Sequence, residues 1–543
     1  MTLVVASFRN TIDPIVNITD VTAGSSGDRK ITESPPPRAS REISSPLELS
    51  LLALITGVAG ALRLHALAAK SFWFDEGASV AIAGLDWYNF VRILWRREAN
   101  MALYYLFLRG WLHFGGSEFF VRALSVLFAI ASVPIIYLLG CRLFDSRVGL
   151  IAAALLAINA YHVQYSQDAR SYSLMVFLCL LSSLYFLTCL HQPTRRNRAA
   201  YILSSALAVY AQFFSGLLML TQWVSLKFLD EEPASQTRAI TKNDWRWVAL
   251  LVSPAVAFAA ATGTGPLRWV QRPGLNDLWA FALHLTGNGG PLLLLACVAA
   301  CLAALLPAWR TWRRVPWESW RYRFLVCWLL LPLLLTLALA LIKPLFVPRY
   351  FIFCLPALLL LVACGITRFR SAALTLPVLA FLIILSLRGT LGYYKQDLDI
   401  QRDDWRAATQ YLLNHSQSGD ALLFHVPMGR MPYEFYDSLL RPASPAPVVL
   451  YPHHGARLTF LDFVEKPNDV ALERALPQHP RAWLVLTYAE TPSGLPDSRT
   501  IELSKLLGNS YSVVEQHDFP GIRILLYSKT DFAPPLSPQG AAY

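Results

Sequence analysis

Charged residues are scarce in this sequence: they make up 15% of its 543 residues, while hydrophobic residues make up 55% and the mean hydropathy is +0.40. Soluble globular chains carry about 25% charged residues. The composition therefore excludes that class and indicates a membrane protein with several transmembrane helices. The net charge of +11 does not indicate a nucleic-acid partner, because Lys and Arg fall mostly between apolar runs, as in loops that orient membrane proteins.

Several familiar signals are also missing. The eight cysteines lie in or beside apolar segments, and their spacing indicates neither a zinc site nor a disulfide framework. Residues 1–45 are polar and lack the short apolar core of a secretory signal, so they predict a disordered cytoplasmic tail. Residues 390–543 contain no glycine-rich phosphate loop and no nucleophile elbow, which argues against catalysis by that region alone.

Apolar runs within residues 46–389 predict a polytopic α-helical domain with about eleven transmembrane helices. Lys and Arg recur in every second loop, which places the amino terminus in the cytoplasm and the carboxyl-terminal region on the periplasmic or other extracytoplasmic side of the cytoplasmic (inner) membrane. The predicted helices lie near 47–68, 119–140, 148–164, 170–190, 199–213, 215–229, 247–262, 289–307, 324–342, 349–366 and 371–388.

Residues 390–543 change in character, because short β-rich runs alternate there with helical patterns. This alternation predicts a soluble α/β domain with a mostly parallel sheet. We interpret it as a lid or an acceptor-docking domain. The predicted strands are 420–426, 447–451, 482–488, 512–517 and 522–528, and the predicted helices are 403–416, 468–476 and 498–507.

Two adjacent carboxylates, Asp75 and Glu76, follow the first predicted transmembrane helix within the stretch Ser71-Phe72-Trp73-Phe74-Asp75-Glu76-Gly77. They either mark a hydrated helix end or belong to a functional site at the outer face. Acidic groups at this depth usually line a cavity or bind a cation.

A second acidic element lies at another outer boundary. Tyr161, Tyr165, Asp168 and Tyr172 follow i, i+4, i+7, i+11 spacing, so in a continuous helix they would share one face. A tyrosine stripe of this kind also occurs as an interfacial aromatic belt. Asp168 has two further interpretations, as an ion-pair partner of Arg170 or as a helix cap.

Cations on the predicted outer side break the usual charge bias. Lys343 and Arg349 bracket a short proline-containing stretch, and Arg63 lies near the outer end of the first helix. Each one alone could simply reach to lipid headgroups. Arginine is suited to forked recognition of phosphate oxygens, so together with the acidic elements these cations indicate a site for an anionic, lipid-borne substrate.

The motifs as a set resemble those of GT-C glycosyltransferases over residues 47–390. More narrowly, the chain is similar to bacterial relatives of protein O-mannosyltransferases and of the lipid A aminoarabinose transferase. One departure is that many relatives have His-Pro-Pro where this chain has Asn100-Met101-Ala102. The matching stretches are Ser71-Phe72-Trp73-Phe74-Asp75-Glu76, Ala102-Leu103-Tyr104-Tyr105, the segment from Gly116 to Ser125, Tyr165-Ser166-Gln167-Asp168-Ala169-Arg170-Ser171-Tyr172, and Pro348-Arg349-Tyr350.

The resemblance implies an inverting transfer of a hexose or pentose from a polyprenyl-phosphate donor to a lipid, glycan or protein acceptor. It implies that Asp75 is the catalytic base and that Glu76 supports it. Asp168 is also a candidate ligand for a divalent metal cation, since metal use varies among these enzymes. The substrate-binding candidates are Arg349, Lys343, Asp168, Tyr165, Tyr172, Arg63, Tyr104 and Tyr105.

Two other classes of function stay open at this stage. A lipid or ion transporter would also place charged groups near a membrane face, although no inverted repeat of broken helices is visible. A non-catalytic membrane subunit would act through its external domain. Retention of Asp75 and Arg349 argues against that second alternative.

Overall fold

The computed structural model describes residues 45–229, 240–263, 270–311, 316–369, 371–396, 403–440, 447–453, 458–464, 469–489 and 497–529. Residues 1–44 of the predicted tail lie outside this range. Residues Ser44–Tyr543 form one compact unit, so the domain boundary at residues 389 and 390 stays a prediction. The last helix of the membrane part continues to Lys395.

The amino-terminal two thirds of the described chain are helical. The helices, in chain order, are α1 (Pro46–Leu64), α2 (Phe74–Gly84), α3 (Trp87–Ile93), α4 (Ala102–Trp111), α5 (Glu118–Leu143), α6 (Ser146–Ile158), α7 (Ala160–Ser166), α8 (Tyr172–His191), α9 (Arg195–Ala211), α10 (Gly216–Leu226), α11 (Lys242–Thr262), α12 (Leu275–Thr286), α13 (Pro291–Thr311), α14 (Pro316–Ala340), α15 (Leu355–Thr367) and α16 (Ala372–Lys395). Short π or 3-10 turns occupy Leu94–Glu98, Ala99–Met101, Phe213–Ser215 and Pro348–Cys354.

Helices lie at all eleven predicted transmembrane positions. Within the described residues, seven are long and apolar enough to cross a membrane, and nine if the bent pairs α6–α7 and α12–α13 each count as one span. The two remaining positions hold the shorter helices α9 and α10. The prediction of a multi-pass helical membrane protein is confirmed.

Burial divides the helices into an inner and an outer set. Helix α8 and the span at residues 348–367 are mostly enclosed by other helices, whereas α1 and α11 expose most of their apolar surface. An exposed apolar helix face of this extent is suited to lipid contact. The inner set supplies the residues that flank the candidate site.

The carboxyl-terminal part is a five-stranded sheet with helices. Its strands are β1 (Ala421–Phe424), β2 (Val448–Tyr451), β3 (Arg481–Thr487), β4 (Tyr511–Phe519) and β5 (Ile522–Lys529), in the order β2-β1-β3-β5-β4. Every predicted strand is present. The prediction of a mostly parallel sheet is wrong, because β3–β5 and β4–β5 both pair antiparallel, and β4 and β5 form a tight hairpin. The helices are α17 (Trp405–His415), α18 (Arg430–Leu440), α19 (Leu461–Val464), α20 (Asp469–Ala475) and α21 (Ser498–Gly508); α18 and the short α19 were not predicted.

The sheet region packs on the loop that leads into α2. The Phe72 backbone N–H donates to the Tyr436 hydroxyl at 2.7 Å, and the Phe72 ring stacks on Phe435 at 4.5 Å between centroids. Arg406 of α17 pairs with Glu118 at 2.6 Å. Buried aromatic and charge-assisted contacts from α17 and α18 therefore fix the position of the loop at residues 71–73.

Candidate active site

The centre of the candidate site is the carboxylate of Asp75, which lies between two guanidinium groups. Arg170 Nη2 is 3.5 Å and Arg349 Nη2 is 3.8 Å from Asp75 Oδ2. The three side chains are mostly but not fully enclosed, with 22% of Asp75, 13% of Arg170 and 15% of Arg349 exposed. Residues from three distant parts of the sequence thus meet at one solvent-accessible point, as the sequence predicted for Asp75 and Arg349.

Each of these groups is held by its local structure. Asp75 lies in the first turn of α2, which begins after the extended residue Trp73. Arg349 lies in the 3-10 turn Pro348–Cys354, and the Tyr161 hydroxyl donates to the Pro348 carbonyl at 2.8 Å. These contacts act on backbone groups and set the positions from which both side chains extend.

Glu76 has a different environment from its neighbour Asp75. It is fully buried, and Arg122 binds it through Nε–Oε1 at 2.7 Å and Nη2–Oε2 at 2.6 Å. The Ala169 backbone N–H also donates to Glu76 Oε1 at 2.9 Å. A carboxylate with this many donors holds the segments around it together, so its geometry fits support of Asp75.

Several buried donors beside Asp75 have no hydrogen-bond partner within the described chain. They are the Tyr172 hydroxyl, the Trp73 indole N–H and Arg170 Nε. The Arg349 guanidinium lies 5.6 Å from the centre of the Trp73 ring, and Tyr172 is close enough to Arg349 and Arg170 to interact electrostatically with both. Buried polar groups are normally hydrogen-bonded, so this cluster is suited to an anionic ligand with several acceptor oxygens.

The predicted tyrosine stripe is present as a set of contacts but not as one helical face. Helix α7 ends at Ser166 and α8 begins at Tyr172, so residues 167–171 break the helix. The rings still form a ladder, with centroids 5.2 Å apart for Tyr161–Tyr165 and 4.8 Å apart for Tyr165–Tyr172. All three rings are buried, which argues against an aromatic belt at the lipid surface.

Asp168 lies in this break and is buried. Arg170, the predicted alternative partner of Asp168, forms an ion pair with Asp75. Within the described residues, no group of three or more His, Cys, Asp or Glu side chains could hold a metal ion. The positive charges of Arg170 and Arg349 beside Asp75 would also repel a divalent cation. The residues present therefore do not fit a divalent metal.

Tyr104 and Tyr105 are buried supports around the arginines. The Tyr104 hydroxyl hydrogen-bonds to Ser125 Oγ at 2.9 Å, and Ser125 donates to the Arg170 carbonyl at 3.2 Å. The Tyr105 hydroxyl donates to Glu98 at 3.2 Å. Both tyrosines therefore act on the surroundings of Arg170.

The structure does not bring Arg63 and Lys343 into the cluster. Arg63 is fully buried, and its guanidinium donates to the carbonyls of Ala157 at 2.7 Å and Leu156 at 3.0 Å, so it joins α1 to α6. Lys343 is exposed in the loop after α14. The sequence could not separate these cations from Arg349, because their positions along the helices are alike.

Sequence reasoning assigned no role to three residues at or near this site, which are Arg122, Glu98 and Tyr488. It considered Arg170 only as an ion-pair partner of Asp168. Burial raises the pKa of Glu98, and the charge of Asp75 raises it further, while Arg170 and the Tyr105 hydrogen bond oppose the shift. Arg122 and Arg170 lie within the stretches that resemble the family motifs. A buried carboxylate needs a cationic partner, and this requirement could have identified both arginines.

The departure at Asn100 also has a structural role. Asn100 Oδ1 accepts a hydrogen bond from the Phe213 backbone N–H at 2.9 Å. It therefore ties the segment before α4 to the turn between α9 and α10.

The fold is that of a multi-pass membrane protein, and it is similar to the fold of GT-C glycosyltransferases. Residues 101–260 match the family model described as dolichyl-phosphate-mannose-protein mannosyltransferase. The resemblance predicted from the motifs is thereby confirmed. No curated protein matches the chain in sequence.

Two solved structures give the likeness in fold. ArnT from Cupriavidus metallidurans in the apo state is 12% identical with a TM-score of 0.58, over 88% of this chain and 98% of that chain. The same protein bound to undecaprenyl phosphate is 13% identical with a TM-score of 0.55, over 90% of this chain and 99% of that chain. At this level of identity the likeness shows the fold alone, and the activity depends on the residues of the site.

Proposed function

We propose that this chain is an inverting glycosyltransferase that moves a sugar from a polyprenyl-phosphate donor to a lipid, glycan or protein acceptor. The observation that carries the proposal is the Asp75 carboxylate between Arg170 and Arg349. The structural neighbour ArnT from Cupriavidus metallidurans has been crystallised with undecaprenyl phosphate, which supports a lipid phosphate as the ligand. Membrane lipids surround the helices in this proposal, and nucleic acid has no part in it.

The donor phosphate binds the two arginines. Their separations from Asp75, 3.5 and 3.8 Å, exceed the 2.7–2.9 Å that is typical of a charge-assisted hydrogen bond. The positive charges of the two guanidinium groups attract phosphate oxygens, and the Tyr172 hydroxyl and Trp73 N–H add two further donors. Phosphate binding draws the arginines away from Asp75 and leaves its carboxylate available to the acceptor.

The transfer step then needs a base and a stabilised leaving group. The acceptor oxygen attacks the anomeric carbon while the bond from that carbon to the phosphate oxygen breaks, and the phosphate leaves with the bonding electrons. Asp75 takes the acceptor proton, and Arg349 and Arg170 stabilise the negative charge on the departing phosphate. Attack opposite to the leaving group inverts the anomeric configuration.

Glu76 is a positioning residue in this mechanism. It binds Arg122 and the Ala169 backbone N–H, and so connects the start of α2 to the segment that carries Arg170. A shift of about 1 Å in a positioned catalytic group can cost about 100-fold in rate. The buried ion pair therefore supports the Asp75–Arg170 geometry.

The site opens to the outer face of the cytoplasmic membrane in this proposal. The distribution of Lys and Arg among the loops supports a cytoplasmic amino terminus and an extracytoplasmic sheet domain. That orientation gives the sheet domain access to acceptors of the cell envelope. Protease accessibility of the sheet domain in spheroplasts tests the orientation, and protection of that domain from added protease would contradict it.

The experiment uses the full chain in lipid nanodiscs. We expect wild-type protein to bind undecaprenyl phosphate and Arg349→Ala to bind it at least about tenfold more weakly. Asp75→Asn should retain binding but lose about 100-fold or more of the release of lipid phosphate from undecaprenyl-phosphate mannose or glucose in the presence of an envelope lipid extract. Arg523→Gln, which changes an exposed arginine of β5, is the matched control and should resemble wild type.

Two outcomes would contradict the proposed function. Asp75→Asn with full turnover would remove the base assignment. Movement of labelled lipid across vesicles without product, equal in wild type and Asp75→Asn, would indicate a transporter. Mass spectrometry of envelope glycolipids and glycoproteins with and without the protein then identifies sugar and acceptor.

A further inference from the structure

Tyr488 is an exposed aromatic residue next to the start of α2. It directly follows β3, and its ring centre lies 6.3 Å from that of Phe74 in an edge-to-face arrangement of 87°. Phe74 immediately precedes Asp75. The sheet domain thus contributes a side chain to the outer border of the Asp75 cluster.

Electrostatics indicate the same proximity. Although 58% of Tyr488 is exposed, desolvation raises the pKa of its hydroxyl. The carboxylates Asp403 and Asp75 raise that pKa further, and Arg349 opposes them. Both central groups of the candidate site therefore lie within electrostatic range of Tyr488.

The backbone at Tyr488 is strained, with φ at 52° in the left-handed region. Bulky residues rarely adopt this conformation, and such residues cluster at functional sites because the surrounding structure must impose the strain. A glycine or asparagine would fit there at lower cost. Tyr488 therefore adopts a backbone conformation that glycine or asparagine would adopt at lower cost.

A buried carboxylate fixes the ring. The Tyr488 hydroxyl donates to Asp403 Oδ2 at 3.3 Å, and only 3% of Asp403 is exposed. Asp403 in turn packs against the β4–β5 turn, where a side chain at Gly521 would collide with its Oδ1. The hydrogen bond to buried Asp403 fixes the Tyr488 hydroxyl. The exposed ring therefore presents a rigid apolar face with a hydroxyl in a fixed position.

We propose that Tyr488 forms a binding platform for a sugar ring at the outer edge of the Asp75–Arg349 site. Sugar rings carry an apolar C–H face that packs on an aromatic ring, together with hydroxyls that hydrogen-bond to a neighbouring O–H. The proposal rests on the proposed function, since it concerns the same site. The sugar belongs either to the lipid-phosphate donor or to the acceptor, and the two sources are separated by experiment.

The test compares Tyr488→Ala, which removes the ring, with Tyr488→Phe, which keeps the ring and removes the hydroxyl. Tyr411→Phe is the matched control, because the Tyr411 hydroxyl also donates to a carboxylate, that of Glu515, but the ring packs on His517 and Phe519 of β4. All variants are measured as full chains in nanodiscs. The probes are undecaprenyl phosphate alone, undecaprenyl-phosphate mannose and undecaprenyl-phosphate glucose.

If the platform binds the donor sugar, Tyr488→Ala weakens binding of a glycosylated lipid about tenfold and leaves binding of undecaprenyl phosphate unchanged. If it binds an acceptor sugar, donor affinity is unchanged and transfer to the envelope lipid extract falls about tenfold at limiting acceptor. Tyr488→Phe should lie between wild type and Tyr488→Ala, and Tyr411→Phe should equal wild type.

Tyr488→Ala with wild-type donor affinity and wild-type transfer at limiting acceptor would overturn the platform. Equal loss of binding for undecaprenyl phosphate and the glycosylated lipids would also overturn it, because the ring would then act on the phosphate or on folding. Failure of wild-type protein to bind undecaprenyl phosphate, or failure of Arg349→Ala to weaken that binding, would contradict the proposed function instead.

Discussion

Arg122 and Glu76 form a two-point ion pair, Nε–Oε1 at 2.7 Å and Nη2–Oε2 at 2.6 Å, in which 1% of the arginine and none of the glutamate is exposed. Arg122 also donates to the carbonyls of Leu67 at 2.9 Å and Lys70 at 2.8 Å. One arginine of α5 therefore holds both the loop that precedes α2 and the carboxylate next to Asp75.

Removal of this arginine should destabilise the protein strongly. Arg122→Gln leaves the Glu76 charge buried without its main partner, which costs about 3–5 kcal/mol. The double variant Arg122→Gln/Glu76→Gln should recover part of that loss, since no buried charge is left. Thermal unfolding of the detergent-solubilised chain measures the effect.

The exposed pair Arg523–Asp518 is the control for this prediction. Both of its side chains are about half exposed, so Arg523→Gln should change the free energy of unfolding by less than about 1 kcal/mol. Equal stability of Arg122→Gln and wild type would show that the buried pair does not hold the loop.

Glu98 provides a test of which carboxylate is the base. Asp75 contacts both arginines directly, whereas Glu98 binds the Tyr105 hydroxyl. Glu98→Gln should therefore reduce kcat by less than about tenfold, and Asp75→Asn by about 100-fold or more. The measurement is single-turnover release of lipid phosphate as a function of pH.

The pH profile distinguishes the two assignments. A base must be ionised, so with Glu98 as base the rate would fall as pH drops through its raised pKa. That limb would disappear in Glu98→Gln. A large loss of kcat in Glu98→Gln, with Asp75→Asn active, would transfer the base role to Glu98.

The part of the site that the sequence predicted comprises groups whose position follows from helix ends. Asp75 and Arg349 each lie beside the end of an apolar run, so the predicted membrane topology puts both on the same side. Both residues also lie in stretches that resemble GT-C motifs, and this resemblance made the functional interpretation specific. The distance of 3.8 Å between Arg349 Nη2 and Asp75 Oδ2 was then a consequence of the fold.

The partner of Asp75 could not be predicted in the same way. The predicted helices 148–164 and 170–190 leave a turn between them, and the structure has a break at residues 167–171. The sequence did not indicate that this break directs Arg170 toward Asp75. That direction depends on tertiary hydrogen bonds, such as the bond from Ala169 to Glu76, and these are not visible in local sequence.

Arg63 and Tyr488 show two further limits. Hydropathy places Arg63 near a helix end, but whether it faces lipid, the site or a neighbouring helix depends on packing with α6. Tyr488 is more than 400 residues from Phe74 in sequence, and their contact requires the docking of the sheet domain, including the unpredicted helix α18. Neither the packing of Arg63 against α6 nor the contact between Tyr488 and Phe74 produces a periodic pattern in the sequence.

Helix α2 contains two glycines, Gly77 and Gly84, and Gly77 lies closer to the sheet domain. An added Cβ would lie 2.8 Å from Pro432 Cα of α18, whereas an added Cβ at Gly84 would meet no atom within 4 Å. Gly77→Ala should therefore separate α18 from α2 and destabilise the folded chain by about 1–3 kcal/mol. Gly84→Ala should be neutral or stabilise it by up to about 1 kcal/mol.

Limited proteolysis and thermal unfolding of the two glycine variants check this docking prediction. Gly77→Ala should expose the sheet region to protease at lower concentrations than wild type or Gly84→Ala. Its turnover should fall as well, because α18 carries Tyr436 and Phe435, which hold the loop before Asp75. Indistinguishable behaviour of the two variants would mean that α18 has room to move away from α2 without loss.

The buried acid below Tyr488 should make stability depend on pH in an unusual direction. Burial raises the pKa of Asp403 to about 6, above the value of about 3.9 for an exposed aspartate. The folded chain thus binds this proton more tightly than the unfolded chain does. The contribution of Asp403 to stability is greatest below pH 4 and decreases by about 3 kcal/mol as the pH rises from about 4 to above 6.

Asp403→Asn removes this ionisation, so the variant should be more stable than wild type at pH 7.5 and closer to it at pH 4.5. Tyr488→Phe keeps the buried carboxylate and should retain the wild-type pH dependence, because burial is the main cause of the shift. Thermal unfolding of the three proteins between pH 4.5 and pH 8 measures the difference. Parallel curves for wild type and Asp403→Asn would show that Asp403 titrates as an ordinary surface acid, and the fixed edge of Tyr488 would then have no charged support.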